Sequence, residues 1–293
     1  MEILEFLKWP LAASLIIAGI HAYLGVHVVE RGVIFVDLAL AQIAALGATI
    51  GILAGLDPHS ESTYWISLTF TVLGAGIFAM ARSRHAHLPQ EAFIGIAYAV
   101  ASAGTILVMS KATGETEHLK DMLIGNILAV SKEEVWRTAA LYAVIGLFHY
   151  IFRKRFLLIS MNAREAEAQG ISIRLWDFLF YVSFGFVVTR SVAIAGVLMV
   201  FSYLIVPSVG AMLFADRIGP RLAIGWTMGT LVSALGVLLS VVLDLPTGAT
   251  IVCTFGAVLV LMFLVHLVIH HGQGARELHG ARSAAREGSP MQP

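Results

Sequence analysis

Long apolar blocks, separated by short polar breaks, fill this chain almost from end to end. Nine of them run roughly over Trp9–Val29, Val33–Leu56, Thr63–Ala81, Ala92–Ser110, Val135–Phe152, Leu175–Thr189, Val192–Ala215, Leu222–Leu243 and Thr247–Ile269. A helix needs about twenty mostly apolar residues to cross a bilayer. Lipid offers no partner to open backbone N–H and C=O groups, so blocks of this length predict helices. The pattern therefore predicts an all-α fold, a polytopic transmembrane bundle of about eight or nine spans. Glycines recur inside the blocks, and the Gly225–Gly229 spacing predicts close helix packing. Pro207, inside GVLMVFSYLIVPSVGAMLF, predicts a kink or break.

Two long polar stretches interrupt the blocks and a third follows the last of them. SMNAREAEAQGISIR, Ser160–Arg174, is the one helix-length hydrophilic segment between two long apolar blocks. Asn162 suits an N-cap, AREAEAQ is built of helix formers, and Gly170 suits a stop. Arg164, Glu165 and Glu167 cover much of the circumference of such a helix, which therefore belongs in water at one membrane face. A docking helix for a soluble partner, placed at about 160–172, fits this stretch; an ordinary solvated connector fits it equally well. Lys111–Glu134 begins polar and continues as MLIGNILAVS, too short to cross and so expected to be re-entrant or interfacial. Ser131 and Glu134 have the spacing of a capping box that opens the next span. Beyond a membrane domain at 1–271, residues 272–293 are small, polar and basic, the composition of a disordered tail.

Composition sharpens this picture. Of 293 residues 58% are hydrophobic and 13% charged, against about a quarter charged in soluble domains; mean hydropathy is +0.84. Net charge is zero, so nothing suggests nucleic acid. The single cysteine, Cys253, excludes an internal disulfide and a cysteine-cluster metal site. The N-terminus MEILEFLKWP lacks the basic start and small-residue cleavage site of a removable signal. With strictly alternating loops, thirteen of the nineteen Lys and Arg residues fall on the side of Phe152–Arg174 and six on the other. The positive-inside rule then places the docking helix and C-terminus in the cytoplasm and the N-terminus outside.

Candidate chemistry is sparse. GxxxxGK[ST], HExxH and GxSxG do not occur, so the usual supports for nucleotide binding, metalloprotease and serine-hydrolase readings are missing. Polar residues within spans are costly and point to function. Asp37 lies about one turn inside the second block and Gln42 nearer its middle. His21 reaches a depth similar to Gln42, and His27 to Asp37, if the first two helices run antiparallel. One reading is a polar path shared by these helices. The other is a helix-start carboxylate, Asp37, paired with Arg31, beside packed histidines. Glu91 and Asp177 read as helix-start acids at the membrane edge, and His149 as a packed histidine.

The segments RGVIFVDLALAQIAALGATIG, IGNILAVSKEE, NAREAEAQGI and GVLMVFSYLIVPSVGAMLF, with PTGATIV near the end, carry a resemblance in their order and spacing. The chain resembles the membrane permease of metal-type ABC importers, over about residues 9–270. The resemblance implies a type II importer-like permease in the cytoplasmic (inner) membrane and a homodimer in lipid. It implies ATP-binding subunits on the cytoplasmic face that bind the ATP, an extracytoplasmic metal-binding protein, and no cofactor or catalysis in this chain. It also makes Asn162–Gly170, with Arg164, Glu165 and Glu167, the coupling helix. In one respect the chain departs from the family, which carries Gly-Asp and a histidine four residues on. Aligned on Gly47, this chain has Asp37, Leu38 and Gln42 at those places. Asp37 and Gln42 are about 140° apart on a regular helix. Oxygen donors suit harder ions such as manganese better than zinc. The expected function is therefore passage of a divalent transition metal ion, zinc, manganese or iron, with Asp37, Gln42 and His21 along the path. The alternative is a proton-coupled secondary transporter with Asp37 and His21 as relay.

Overall fold

The computed structural model describes residues 2–57, 60–82, 89–111 and 127–287. Among these, eleven α-helices follow one another: α1 (Glu2–Arg31), α2 (Val36–Leu53), α3 (Glu61–Ala81), α4 (Gln90–Met109), α5 (Lys132–Ile151), α6 (Arg153–Met161), α7 (Ala163–Ala168), α8 (Ile173–Ala195), α9 (Val197–Met212), α10 (Ile218–Leu243) and α11 (Thr247–Glu287). No strand occurs among the described residues. Seven of the helices are long and apolar enough to cross a membrane, or up to eight when α5 and α6, bent by 74°, count as one broken span. Residues 112–126, with the first half of MLIGNILAVS, lie outside the described residues; a short 3-10 turn at Ile127–Ala129 opens the next described stretch.

Several expectations change. The sixth block does not stop at Thr189: α8 continues through Arg190 and Ser191 to Ala195 and breaks at Gly196. Gly196 has φ +76 and ψ 161, a backbone region reserved to glycine. The seventh block is thereby shortened to α9, whose 16 residues span about 24 Å, less than the roughly 30 Å of hydrocarbon. Pro207 neither breaks nor ends α9, which runs through it to Met212. The boundary expected at Gly272 falls inside α11.

Helix packing divides the bundle in two. One group sets α1 against α9 and α10, with α11 on α9 and α10; the other sets α2 against α3 and α4, with α8 on α3 and α2. Gly225 and Gly229 of α10 face Ala22 and Ala18 of α1, as the small-residue spacing predicts. Helices α1 and α2, which one reading of the sequence joined in a shared polar path, are not major packing partners. The reason is the turn between them: Gly32 at φ +67 and the residues up to Phe35 swing α2 into the other group.

Hydrogen bonds fix the two ends. Arg31 of α1 and Arg82, the residue after α3, both bond Asp177 of α8. Glu91 of α4 accepts the Phe35 N–H at 3.0 Å, and Arg221 of α10 bonds Glu30. These contacts gather one end of the bundle, with α6 and α7 beside it. At the other end Arg137 lies 3.7 Å from Glu61, both largely exposed. Ser131 caps α5 there, in a capping box whose two bonds to Glu134 are 3.2 and 3.0 Å.

Candidate functional site

The helix of the hydrophilic elbow is shorter than the expected 160–172: Ser160 and Met161 belong to α6, and only the six residues Ala163–Ala168 form α7, although Asn162 and Gly170 mark its two ends as their residue types predict. Asn162 Oδ1 accepts the Glu165 N–H at 3.1 Å and opens α7. At the far end the Ile171 N–H donates to the Ala166 carbonyl and the Gly170 N–H to that of Glu167, with Gly170 at φ +76. This is the Schellman arrangement that stops a helix with a glycine. Arg164, Glu165 and Glu167 are exposed, whereas Ala166 is fully buried against the core. The elbow is thus a short charged helix seated by one methyl face, with its caps closed internally.

The polar residues singled out in the sequence do not converge. Asp37 is buried, and its Oδ1 has no hydrogen-bond partner among the described residues. His21 is buried on α1; its Nδ1 lies 2.8 Å from the Ile17 carbonyl, and its Nε2 has no hydrogen-bond partner among the described residues. Gln42 is half-buried. No hydrogen bond or ion pair joins the three, which belong to the two different packing groups. Among the described residues no group of three or more His, Cys, Asp or Glu is placed to hold a metal ion. The ordinary alternative for Asp37 is also corrected: Arg31 pairs with Asp177 and not with Asp37. A groove of about 490 Å³ between α10 and α11 is lined by Ile224, Leu231, Leu235, Val258 and Met262 among others, and has no charged lining residue to hold an ion.

What does converge is a cluster that sequence reading passed over. Asp177, fully buried, accepts from Arg31 Nη1 at 2.6 Å and from Arg82 Nη1 at 2.9 and 2.7 Å. Arg31 Nε donates to Ser160 Oγ at 2.8 Å, and His27 Nδ1 lies 2.8 Å from the same oxygen. Because Ser160 spends its own hydrogen on the Phe156 carbonyl at 2.9 Å, His27 Nδ1 must carry the proton it shares with Ser160. His149 packs in the same region, stacked on Phe156 with ring centres 4.3 Å apart and bonded to Ser183 at 2.8 Å. The packed reading of His149 therefore describes its geometry. Glu91, as read, is a first-turn acid of α4. The only hint of the cluster in sequence was charge at span ends; the partners lie 95 to 146 residues apart, beyond any local pattern.

A polytopic bundle of this kind, with a capped charged helix beside the end where Arg31, Arg82 and Arg221 collect, is that of a multi-pass membrane protein. The comparisons assign the family. The model of the ABC 3 transport family matches residues 3–266, and the chain belongs to that family. It is an ABC-type permease of the cytoplasmic membrane. One relative, the manganese transport system membrane protein MntC of Halalkalibacterium halodurans, is 24% identical over 259 residues, covering 88% of this chain and 87% of its own. A Haemophilus influenzae relative named for an iron transport system is 26% identical over 248 residues, covering 85% and 89%. In fold, the chain is similar to the solved structure of PsaBC from Streptococcus pneumoniae in complex with Fab. The TM-score is 0.75 and the identity 23%, over 89% of this chain and 93% of that one.

Proposed function

We propose that this chain is the permease subunit of an importer for a divalent transition metal ion, powered by separate ATP-binding subunits that hold α7. Two copies of the chain form the path, and an extracytoplasmic metal-binding protein delivers the ion. The observation that carries the reading is α7 itself: a closed-capped helix with Arg164, Glu165 and Glu167 exposed, seated at the end where the arginines collect. The names of the manganese and iron relatives support a metal cargo. Within the chain, Asp37 and Gln42 offer oxygen donors, which favour a hard ion such as Mn²⁺ over zinc. The unpartnered Asp37 Oδ1 and His21 Nε2 leave donor atoms free for a passing ion, while the lack of a converged set suits release more than storage.

Two measurements test this. Uptake of Mn²⁺ and Zn²⁺ by whole cells is compared for wild type, Asp37→Asn and Gln42→Ala at equal membrane levels. Wild-type rates in both variants remove these residues from the path. Co-purification of an ATP-binding subunit, lost in the double variant Glu165→Arg, Glu167→Arg, supports the docking role; a purified chain that moves the ion along a proton gradient without such a subunit contradicts it.

A further inference from the structure

The Arg31–Asp177–Arg82 cluster sits where the elbow joins both halves of the bundle. Ser160 lies on the last turn of α6, two residues before Asn162 caps α7; Asp177 lies in the first turns of α8, just beyond the elbow. One side chain, Arg31, holds both: Nε bonds Ser160 at 2.8 Å and Nη1 bonds Asp177 at 2.6 Å. Its guanidinium also rests 4.0 Å from the centre of the Phe180 ring. Arg31 belongs to α1 and so to the group built on α1, α9 and α10. Asp177 and Arg82 belong to α8 and the end of α3, in the other group. The neighbouring Glu30, by contrast, bonds Arg221 of α10 within Arg31's own group.

The energetics argue against a purely stabilising role. The side chains of Arg31 and Asp177 are 1% and 0% exposed, and burying charges at such a site costs several kcal/mol per ion before the pairing offsets it. Apolar residues of similar volume often stabilise equally well. A fork-shaped guanidinium instead provides stiff, directional bonds at fixed angles. Placed across the seam between two packing groups and attached to both flanks of the elbow, it has the geometry of a latch.

We infer that Arg31, with Asp177 and Ser160, positions the two helix groups relative to the elbow and transmits displacement of α7 to them. These residues act through the helices and touch neither nucleotide nor ion. The inference rests on the reading of α7 as the ATPase-docking helix. If the elbow moves, α1 is carried by Ser160 and Asp177 together, and α3 follows through Arg82. Without the fork, the elbow moves and the bundle does not answer.

The test uses the complex of the full chain with its ATP-binding subunit. Arg31→Lys keeps the charge but cannot bond Ser160 and Asp177 together from one rigid plane. Membrane level, co-purification of the ATP-binding subunit, ATP hydrolysis by the purified complex and Mn²⁺ uptake by cells are measured side by side. The expected result is normal level, normal co-purification and hydrolysis within about twofold of wild type, with uptake reduced about tenfold, the size of a typical coupling between sites. Uptake retained within about twofold overturns the latch. If Arg31→Lys fails to reach the membrane, Ser160→Ala decides: it removes one hydroxyl and leaves the ion pairs. Hydrolysis preserved with uptake reduced supports the latch in that variant, and uptake preserved, or both falling in proportion to membrane level, overturns it. A wild-type preparation with no ATP-binding subunit overturns the docking reading and this one together, whereas normal uptake in a variant of an intact complex overturns the latch alone.

Discussion

Replacing Gly25 by alanine puts a methyl group where α1 already touches the backbone of α9. A Cβ at this position would lie 2.0 Å from the Leu204 carbonyl oxygen and 2.3 Å from Ser208 Oγ. Contacts below 3.0 Å are essentially never formed by real Cβ atoms, so α1 and α9 must separate by about an ångström. A gap of that size forfeits about a quarter to a half of the dispersion energy of the contacts it opens. Ile17, Leu24 and Val28 on α1, and Leu204 on α9, are all fully buried. Overpacking of a well-filled interior costs about 1–3 kcal/mol and occasionally more; a backbone obstacle, which cannot rotate away, puts Gly25→Ala at the upper end. The assay is the apparent Tm of detergent-purified protein, where each kcal/mol is worth roughly 2–4 °C in chains of about 150–250 residues. Gly19→Ala, on the same helix with nothing within 4 Å of the new methyl, is the control and stays at or above the wild-type value. Adding Ser208→Ala to Gly25→Ala recovers little, because the carbonyl clash remains. A Gly25→Ala protein as stable as the Gly19→Ala control refutes the packing argument.

Other predictions concern the backbone and the ends. Gly196→Ala forces a Cβ into the φ +76, ψ 161 conformation between α8 and α9 and costs about 1–3 kcal/mol, read as a lower apparent Tm. Asn162→Ala removes the α7 cap and costs about 0.5–2 kcal/mol, whereas Asn162→Ser restores most of it; faster amide exchange at Glu165 in the alanine variant alone reports it. Glu61→Gln breaks the exposed contact with Arg137 at 3.7 Å and leaves the apparent Tm unchanged, since exposed pairs contribute about 0–1 kcal/mol.

The sequence was most informative where structure follows from local chemistry. Apolar length gave the helices, Ser131 with Glu134 gave a capping box, and Asn162 and Gly170 gave the two ends of α7 at the residues observed. It misled where the outcome depends on what a helix packs against. The Gly196 break was hidden inside one continuous apolar run, because nothing in hydropathy distinguishes a glycine that turns from one that packs. Asp37 and Arg31, six residues apart, looked like partners, but the turn at Gly32 sends their helices into different groups, and Arg31 finds Asp177 instead. The pairing within the buried cluster was not legible: Arg31, Arg82 and Asp177 each look like an ordinary charge at a helix end until the fold brings them together.

The central claim is that an ATP-binding subunit grips α7 from the cytoplasm. It is tested most directly with Glu165→Cys in a Cys253→Ser background, which makes the elbow cysteine unique in the chain. The account predicts that this thiol cross-links to an ATP-binding subunit in membranes and resists a membrane-impermeant maleimide added to intact cells. Labelling of the thiol from outside, with no such cross-link, would contradict it.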